Sequence, residues 1–298
     1  AEKSAFINNL INGLVFVLSI TTNLFLINFL KLSNREFIEF PFNLLMILFI
    51  IIFLPLFTLF ISREKHRIRI KKRNNNKFKN RSSSEFPLKY DLYRKVTHFV
   101  VLGIIFFLFP LGFLNHNLVV FLVGISLVGL LTADIIRILT PEIYPLKPVN
   151  QLLREKELHM RLGPQISMSI GCFSIILLYG LIQPIGPVVI SVSMITSVFG
   201  DVASNLIGRT LGRKKIRATD KTFEGLIAGI LAAFISGIIV AFLLKSYYNF
   251  SIAALVLIPG VASLIIGLLD YLDLDIDDNL SFNFCVATIL FFISFSLL

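Results

Sequence analysis

Long uninterrupted runs of apolar residues are the feature that most constrains this sequence. Of its 298 residues, 56% are hydrophobic and only 15% are charged. The apolar residues gather in runs of roughly 18 to 22, enough for a helix to cross a bilayer core of about 30 Å. Within lipid a helix satisfies its own backbone hydrogen bonds, whereas a transmembrane barrel would show alternating rather than continuous apolar residues. The sequence therefore predicts an all-α, polytopic integral membrane protein.

About nine runs qualify as transmembrane helices, and they divide the chain into three regions. We expect two N-terminal helices in residues 1–62, a basic, flexible cytoplasmic loop in residues 63–92, and a seven-helix membrane domain in residues 93–298. The first run has no small-residue cleavage site and is interpreted as a retained span. The predicted spans are residues 9–29, 41–61, 96–114, 118–136, 164–182, 185–207, 223–244, 251–269 and 281–298.

The distribution of charge predicts which ends of the spans share a side. The net charge is +10, and Lys and Arg are densest in residues 63–95, which should be cytoplasmic by the positive-inside rule. This rule explains the cations without a nucleic-acid partner. Counting spans then puts the N-terminus and residues 137–163, 208–222 and 270–280 on the same side. Polar chemistry at span ends favours an enzyme acting on lipid headgroups, since channels and transporters more often carry ionisable groups at mid-membrane.

The stretch from residue 200 to 229 carries a carboxylate, a cationic glycine-rich loop and a helix start in close succession. Asp201 and Asn205 lie four residues apart on one helical face, and such oxygen ligands suit Mg²⁺. Glycines let backbone N–H groups approach an anion, arginine offers a fork for phosphate, and a helix start favours an anion. Small residues at positions 200, 204 and 208 are also typical of ordinary helix packing. The candidate residues of this phosphate and metal site are Asp201, Ser204, Asn205, Gly208, Arg209, Gly212, Lys221, Thr222 and Glu224.

Acidic residues at the starts of two spans are the remaining metal candidates. Glu224 is interpreted as a metal ligand, as a partner of Lys221, or as a carboxylate that favours the helix dipole. Asp278 and Asn279 follow an acidic loop in residues 270–280. That loop is either a solvated turn or a second acidic wall, in which Asp278 binds metal and Asn279 binds the nucleotide.

Four residues near the cytoplasmic ends of earlier spans are candidates for contact with an acceptor. His98 lies one helical turn from Arg94, so it is either a proton acceptor, a phosphate contact or a structural histidine. Arg94 and Lys95 are either phosphate contacts or interface anchors. Asp134 lies three residues before Arg137, and it is a general base or metal ligand, an internal ion pair, or both.

Six short motifs in this order resemble the CTP-dependent lipid kinase superfamily, which contains dolichol (polyprenol) kinases, CTP-dependent diacylglycerol kinases and phytol kinases. This superfamily is distantly related to the phosphatidate cytidylyltransferases. The resemblance covers residues 93–298, and residues 281–283 depart from the family's usual Thr-Ile/Val-Pro run. The motifs are RKVTH at 94–98, ADIIRI at 133–138, LREKELH at 153–159, GDVASNLIGRTLG at 200–212, DKTFEG at 220–225 and DIDDNL at 275–280.

The resemblance implies transfer of the γ-phosphoryl group of CTP to the hydroxyl of a membrane lipid alcohol, with Mg²⁺ or another divalent cation. The expected acceptor is dolichol or another polyprenol, with diacylglycerol or phytol as alternatives and a CDP-lipid-forming cytidylyltransferase as a second alternative. The enzyme would lie in the cell membrane or the endoplasmic reticulum membrane, with its site facing the cytosol. By resemblance, Asp201 is the metal residue, and the triphosphate is held by Arg209, Lys221 and Thr222. The resemblance also implies that the nucleotide site is completed by Glu224, Asp278 and Asn279. The acceptor is expected to lie near Arg94, Lys95, His98 and Asp134.

Overall fold

Seven α-helices make up most of the described part of the chain. The computed structural model describes residues 2–29, 98, 103, 116–140, 144, 153, 162–182, 185–216, 219, 221–247, 251–274 and 276–297. Within these ranges the only pairing of the β type is an isolated bridge between Lys215 and Thr222. The helices are α1 (Glu2–Phe29), α2 (His116–Leu139), α3 (Pro164–Tyr179), α4 (Ile185–Thr210), α5 (Phe223–Lys245), α6 (Ile252–Leu272) and α7 (Asp278–Leu297).

Five of these helices are long and apolar enough to cross a membrane, namely α1, α2, α4, α5 and α6. The helices α3 and α7 contain shorter apolar segments. The prediction of an all-α membrane protein is therefore confirmed. The predicted spans at residues 41–61 and, apart from two residues, 96–114 lie outside the described residues, as does the basic loop at residues 63–92.

The predicted span boundaries agree with the observed helices to within three residues, except at the start of α1. That helix begins at Glu2, seven residues before the predicted start at residue 9. The helix extends through the polar residues before that predicted start, and the side chains of Asn8, Asn9 and Asn12 are all 0% exposed. They lie inside the helix bundle, so the helix is longer than the apolar run that marked the predicted span.

The helix α4 is the central element of the bundle. It packs against α5, α7, α6 and α3, most extensively against α5. Of its apolar segment 83% is buried, compared with 33% for α5 and 44% for α6, whose outer faces carry many exposed apolar side chains. Such faces are expected where a helix borders lipid.

The helices α1 and α3 run side by side in the same direction. The Asn9 side chain accepts a hydrogen bond from the Leu162 N–H just before α3, and the Asn23 side chain donates one to the Leu177 carbonyl near its end. Between these contacts the rings of Phe16 and a phenylalanine of α3 stack with centroids 5.9 Å apart. The N-terminal segment therefore packs directly on the helices of the predicted membrane domain.

Each of the seven helices has one end that carries polar residues, and these ends meet at one side of the bundle, here named the polar end. Here the N-terminal ends of α1, α3, α5 and α7 lie beside the C-terminal ends of α2, α4 and α6. Side-chain hydrogen bonds join α1 to the start of α7, α2 to the start of α3, and α4 to the end of α6. The described parts of four segments predicted to share one side, namely the N-terminus and residues 137–163, 208–222 and 270–280, are thus joined at one end, while residues 63–95 lie outside the described residues.

Close backbone packing brings α4 and α5 together near this end. A Cβ atom added at Gly229 would lie 2.9 Å from the Ser204 Cβ and 3.1 Å from the Gly200 carbonyl oxygen. A Cβ atom at Gly225 would lie 2.7 Å from the Ser204 carbonyl oxygen and 2.9 Å from the Gly208 Cα. The packing interpretation of the small residues at 200, 204 and 208 is therefore confirmed, and it requires glycine on both helices.

Candidate active site

The ammonium group of Lys221 lies among three carboxylates at the polar end. Its Nζ atom is 2.9 Å from Asp270 Oδ1, 3.0 Å from Asp273 Oδ1 and 3.5 Å from Asp278 Oδ2, and it donates a hydrogen bond to the Asp270 carbonyl at 3.1 Å. These contacts tie the residue before α5 to the end of α6 and the start of α7. We name Lys221 with these three aspartates the lysine cage.

The lysine cage keeps its ammonium protonated. Burial alone would lower the pKa of Lys221, but the charges of Asp278 and Asp270 and hydrogen bonds to Asp270 and Asp273 outweigh burial and raise this pKa above its ordinary value. Asp273 ends α6 with a φ of 47°, a left-handed conformation that aspartate tolerates better than most residues. The ammonium of Lys221 therefore stays charged at neutral pH.

Asp201 lies inside α4, about two and a half turns before its end at Thr210, and contacts the imidazole of His98. The Asp201 side chain is buried, its Oδ1 accepts a hydrogen bond from Asn205 Nδ2 at 2.6 Å, and its Oδ2 is 3.5 Å from His98 Nδ1. His98 is 2% exposed. The predicted pairing of positions 201 and 205 on one helical face is observed, and the histidine of a distant motif is brought to the same carboxylate.

A serine hydroxyl links the Asp201 region to the lysine cage. Ser204 Oγ donates a hydrogen bond to Asp270 Oδ2 at 2.7 Å. Side chains from α4, α6 and α7 and from the start of α5 therefore form one polar cluster.

The glycine-rich loop after α4 is closed by its own contacts. The Glu224 carboxylate accepts hydrogen bonds from the backbone N–H groups of Arg213 and Lys214 at 3.1–3.3 Å. The Thr222 hydroxyl caps α5 by accepting the Gly225 N–H at 3.2 Å. Glu224, a predicted metal ligand, thus holds the loop, and Thr222, a predicted triphosphate contact, holds the helix start.

Two further predicted phosphate-binding residues have clear positions. A Cβ atom at Gly212 would overlap the Gly208 carbonyl and lie 2.5 Å from the Thr222 hydroxyl, so close packing explains that glycine. Arg209 lies exposed in the last turn of α4. Arg94 and Lys95 lie outside the described residues.

Asp134 joins α2 to α3. Its Oδ1 accepts a hydrogen bond from Arg137 Nε at 2.6 Å, and its Oδ2 accepts the Gly163 N–H at 2.9 Å. The side chain of Asp134 is only 9% exposed and that of Arg137 only 1%. The predicted ion pair at positions 134 and 137 is observed, and each oxygen of the carboxylate already has a partner.

A cap at the start of α7 contains a predicted nucleotide residue. Asp277 Oδ1 accepts hydrogen bonds from the backbone N–H and the side-chain amide of Asn279 at 3.1 and 2.6 Å. The backbone N–H of Asp277 is bound in turn by Asn8 at 2.8 Å. Residues that sequence reasoning did not select are Asn8, Asp270 and Asp273. The acidic run from 270 to 280 was a signal for the two aspartates, and the close spacing of Asn8, Asn9 and Asn12 was a signal for the asparagine.

Across the described residues, no group of three or more His, Cys, Asp or Glu side chains is arranged to hold a metal ion by itself. Comparison with protein-family models, curated proteins and solved structures finds no match for this chain.

Proposed function

We propose that this protein is a CTP-dependent lipid kinase that phosphorylates the hydroxyl of a membrane lipid alcohol at the polar end of its helix bundle. The observation that carries the proposal is the convergence of His98, Asp201, Lys221 and Asp278. They come from four motifs spread over 181 positions of the chain. His98 contacts Asp201 on α4, and Ser204, three residues further on the same helix, bonds Asp270, which shares the ammonium of Lys221 with Asp278. A bundle built only for packing has no need to gather these groups.

The charges of the cluster fit a divalent cation bound with a nucleotide. Asp201 and the three aspartates of the lysine cage outnumber the single ammonium of Lys221. Mg²⁺ commonly takes one or two carboxylates and completes its shell with water and phosphate oxygens, so a protein-only metal cage is unnecessary. We assign Asp201 and Asp278 as its ligands. The bound cation would neutralise charge on the β- and γ-phosphates.

The acceptor oxygen forms a bond to the γ-phosphorus of CTP as the bond from that phosphorus to the β–γ bridging oxygen breaks. CDP leaves with the electrons of the broken bond, and the proton of the lipid hydroxyl passes to the His98 imidazole. The Asp201 carboxylate next to Nδ1 stabilises the imidazolium that forms. We favour His98 over Asp134 as the base because both oxygens of Asp134 are bound by Arg137 and Gly163.

Lys221 limits the negative charge that the incoming triphosphate meets. Its raised pKa keeps it charged, and its position before α5 puts it beside the N–H groups of that helix start. Exposed cations of the glycine-rich loop, such as Arg209 and Lys214, attract the nucleotide from solution. Phosphoryl transfer asks mainly for such positioning and charge neutralisation.

The proposal includes nine spans, with the polar end in the cytosol and the protein in the cell membrane or the endoplasmic reticulum membrane. The end of α1 lies away from the polar end, His98 lies at it, and α2 begins away from it. These positions agree with the two predicted spans between α1 and α2, of which one would bring the chain to the polar end and the other would take it away again. The long basic run at residues 63–95 supports the cytosolic side.

Transfer of label from CTP to lipid tests the proposal. Purified protein in nanodiscs is incubated with Mg²⁺ and γ-³²P- or α-³²P-labelled CTP, with polyprenol, diacylglycerol, phytol or phosphatidate as the acceptor. Label in polyprenol from the γ but not the α position is the expected result. Label from the α position with release of pyrophosphate would instead identify a cytidylyltransferase, and no labelled lipid from either position would refute the proposal.

A matched pair of variants connects the label to the site. Asp201→Asn keeps the size of the side chain and should abolish labelling, while Asp273→Asn removes the most exposed carboxylate of the lysine cage and should retain most of it. Equal activity of Asp201→Asn and wild type would exclude Asp201 from the chemistry.

A further inference from the structure

Four buried asparagines line the helix α1. Asn8, Asn9 and Asn12 are 0% exposed and Asn23 is 3% exposed. Burying an amide costs free energy unless it is hydrogen-bonded, so the partner of each one is informative. Asn12 bonds within α1 and Asn23 bonds the carbonyl of Leu177 far from the polar end, whereas Asn8 and Asn9 each accept a hydrogen bond from a backbone N–H that precedes another helix.

Asn8 binds the residue that directly precedes α7. Its Oδ1 accepts the N–H of Asp277 at 2.8 Å, across 269 positions of sequence. Asp277 caps α7 from the other side, because its Oδ1 accepts the Asn279 N–H and its carbonyl accepts the N–H groups of Leu280 and Ser281 at 3.0 and 3.1 Å. The amide of Asn8 therefore fixes from outside the cap on which the first turn of α7 is built.

This cap determines where Asp278 lies. Asp278 follows Asp277 directly and reaches Lys221 with its Oδ2 at 3.5 Å. We infer that Asn8 is a positioning residue, which acts through Asp277 to hold Asp278 against the lysine cage. The inference rests on the proposed function for the role of Asp278 as a ligand of the metal–nucleotide complex. It makes α1, which lies outside the recognised motifs, a part of the catalytic unit.

Asn9 offers a matched control on the same helix. It is equally buried, and its Oδ1 accepts the backbone N–H of Leu162 at 2.9 Å. That bond supports the start of α3 instead of the start of α7. If α1 only added stability, loss of either amide would have the same consequences, whereas positioning predicts that they differ at the nucleotide site.

The test compares Asn8→Ala, Asn9→Ala and Asn23→Ala in the full chain. Three quantities are measured: the apparent Tm, the affinity for CTP with Mg²⁺ by equilibrium dialysis, and hydrogen–deuterium exchange of residues 276–281 and 162–167. We expect all three variants to melt lower. Only Asn8→Ala should bind CTP about tenfold more weakly, as expected when a buried donor is left unpaired, and only Asn8→Ala should speed exchange in residues 276–281.

Equal CTP affinity of Asn8→Ala and Asn9→Ala, or unchanged exchange at residues 276–281 in Asn8→Ala, would overturn the inference. If the alanine variants do not fold, Asn8→Gln and Asn9→Gln replace them, because the extra methylene displaces the acceptor while keeping the amide. If wild type binds no CTP, the proposed function fails, and the exchange comparison alone then decides whether Asn8 positions the start of α7.

Discussion

The contact between α4 and α5 gives the sharpest prediction of stability, through the substitution Gly225→Ala. A Cβ atom at Gly225 would lie 2.7 Å from the Ser204 carbonyl oxygen and 2.9 Å from the Gly208 Cα. Ordinary contacts begin near 3.4 Å, so the two helices have to separate by about 0.7 Å. Both obstructing atoms belong to the backbone, and a change of rotamer cannot relieve the overlap.

The expected cost follows from comparison with an open glycine. Overpacking of a tight contact costs about 1–3 kcal/mol, while alanine is favoured over glycine in a helix by about 1 kcal/mol. Gly129 of α2 has no described atom within 4 Å of its added Cβ, so Gly129→Ala should be neutral or stabilising. We expect Gly225→Ala to melt roughly 2–12 °C below Gly129→Ala, given about 2–4 °C per kcal/mol for chains of this order of size.

The chain supplies its own reporter for this measurement. It has no tryptophan and two cysteines, so a thiol-reactive fluorogenic dye is preferable to intrinsic fluorescence. Cys172 is 1% exposed and reacts only on unfolding, while Cys285 is half-buried and is replaced by alanine in every sample. All variants are compared at one heating rate. If Gly225→Ala melted with or above Gly129→Ala, the close approach of α4 and α5 would be wrong.

Three other substitutions test the polar end. Lys221→Met should lower the apparent Tm by several degrees because three carboxylates lose their shared cation, whereas Lys221→Arg should not. Millimolar Mg²⁺ should stabilise the Lys221→Met variant more than wild type. An unchanged Tm of Lys221→Met would contradict the lysine cage. In a double-mutant cycle on kcat, His98→Gln and Asp201→Asn should be coupled by at least about 0.5 kcal/mol, and additive losses would separate the two residues. Asp134→Asn should destabilise by about 3–5 kcal/mol because it removes one charge of a buried ion pair that also binds the Gly163 N–H. A folded variant with normal Tm and lost kcat would instead identify Asp134 as the base.

The sequence was sufficient to predict the helices and their common end, because the bilayer imposes both. A span needs a fixed length, so the described helix bounds were predicted closely wherever polar residues marked a true membrane edge. Alternation of spans then placed the segments containing Asp201, Lys221 and Asp278 on one side. Two of these three groups contact each other directly, at 3.5 Å between Lys221 Nζ and Asp278 Oδ2.

The partner of each side chain was harder to predict, because sequence fixes the height of a residue along a span better than the direction in which it points. Lys221 was expected to bind phosphate, which stays a prediction, and the contacts of its ammonium with Asp270, Asp273 and Asp278 were not predicted. Glu224 was expected near metal, and its carboxylate binds the backbone of the loop. The partners of a side chain depend on the rotation of each helix about its axis, and this rotation is set by contacts such as the glycine packing of α4 on α5.

The helix α1 shows why motifs alone are a poor guide to the extent of the folding unit. The resemblance begins at residue 93, yet the Leu162 N–H is bound by the side chain of Asn9 and the Asp277 N–H by that of Asn8. Without α1 these donors lose their partners, and so does the face of α3 on which Phe16 stacks. Each unpaired buried donor costs about 1–3 kcal/mol, a large share of a typical total stability of about 5–15 kcal/mol.

A chain cut to residues 93–298 should therefore not insert as a stable unit, and co-expression with residues 1–62 should rescue it. Stable, CTP-binding protein from the truncated chain alone would show that α1 is dispensable.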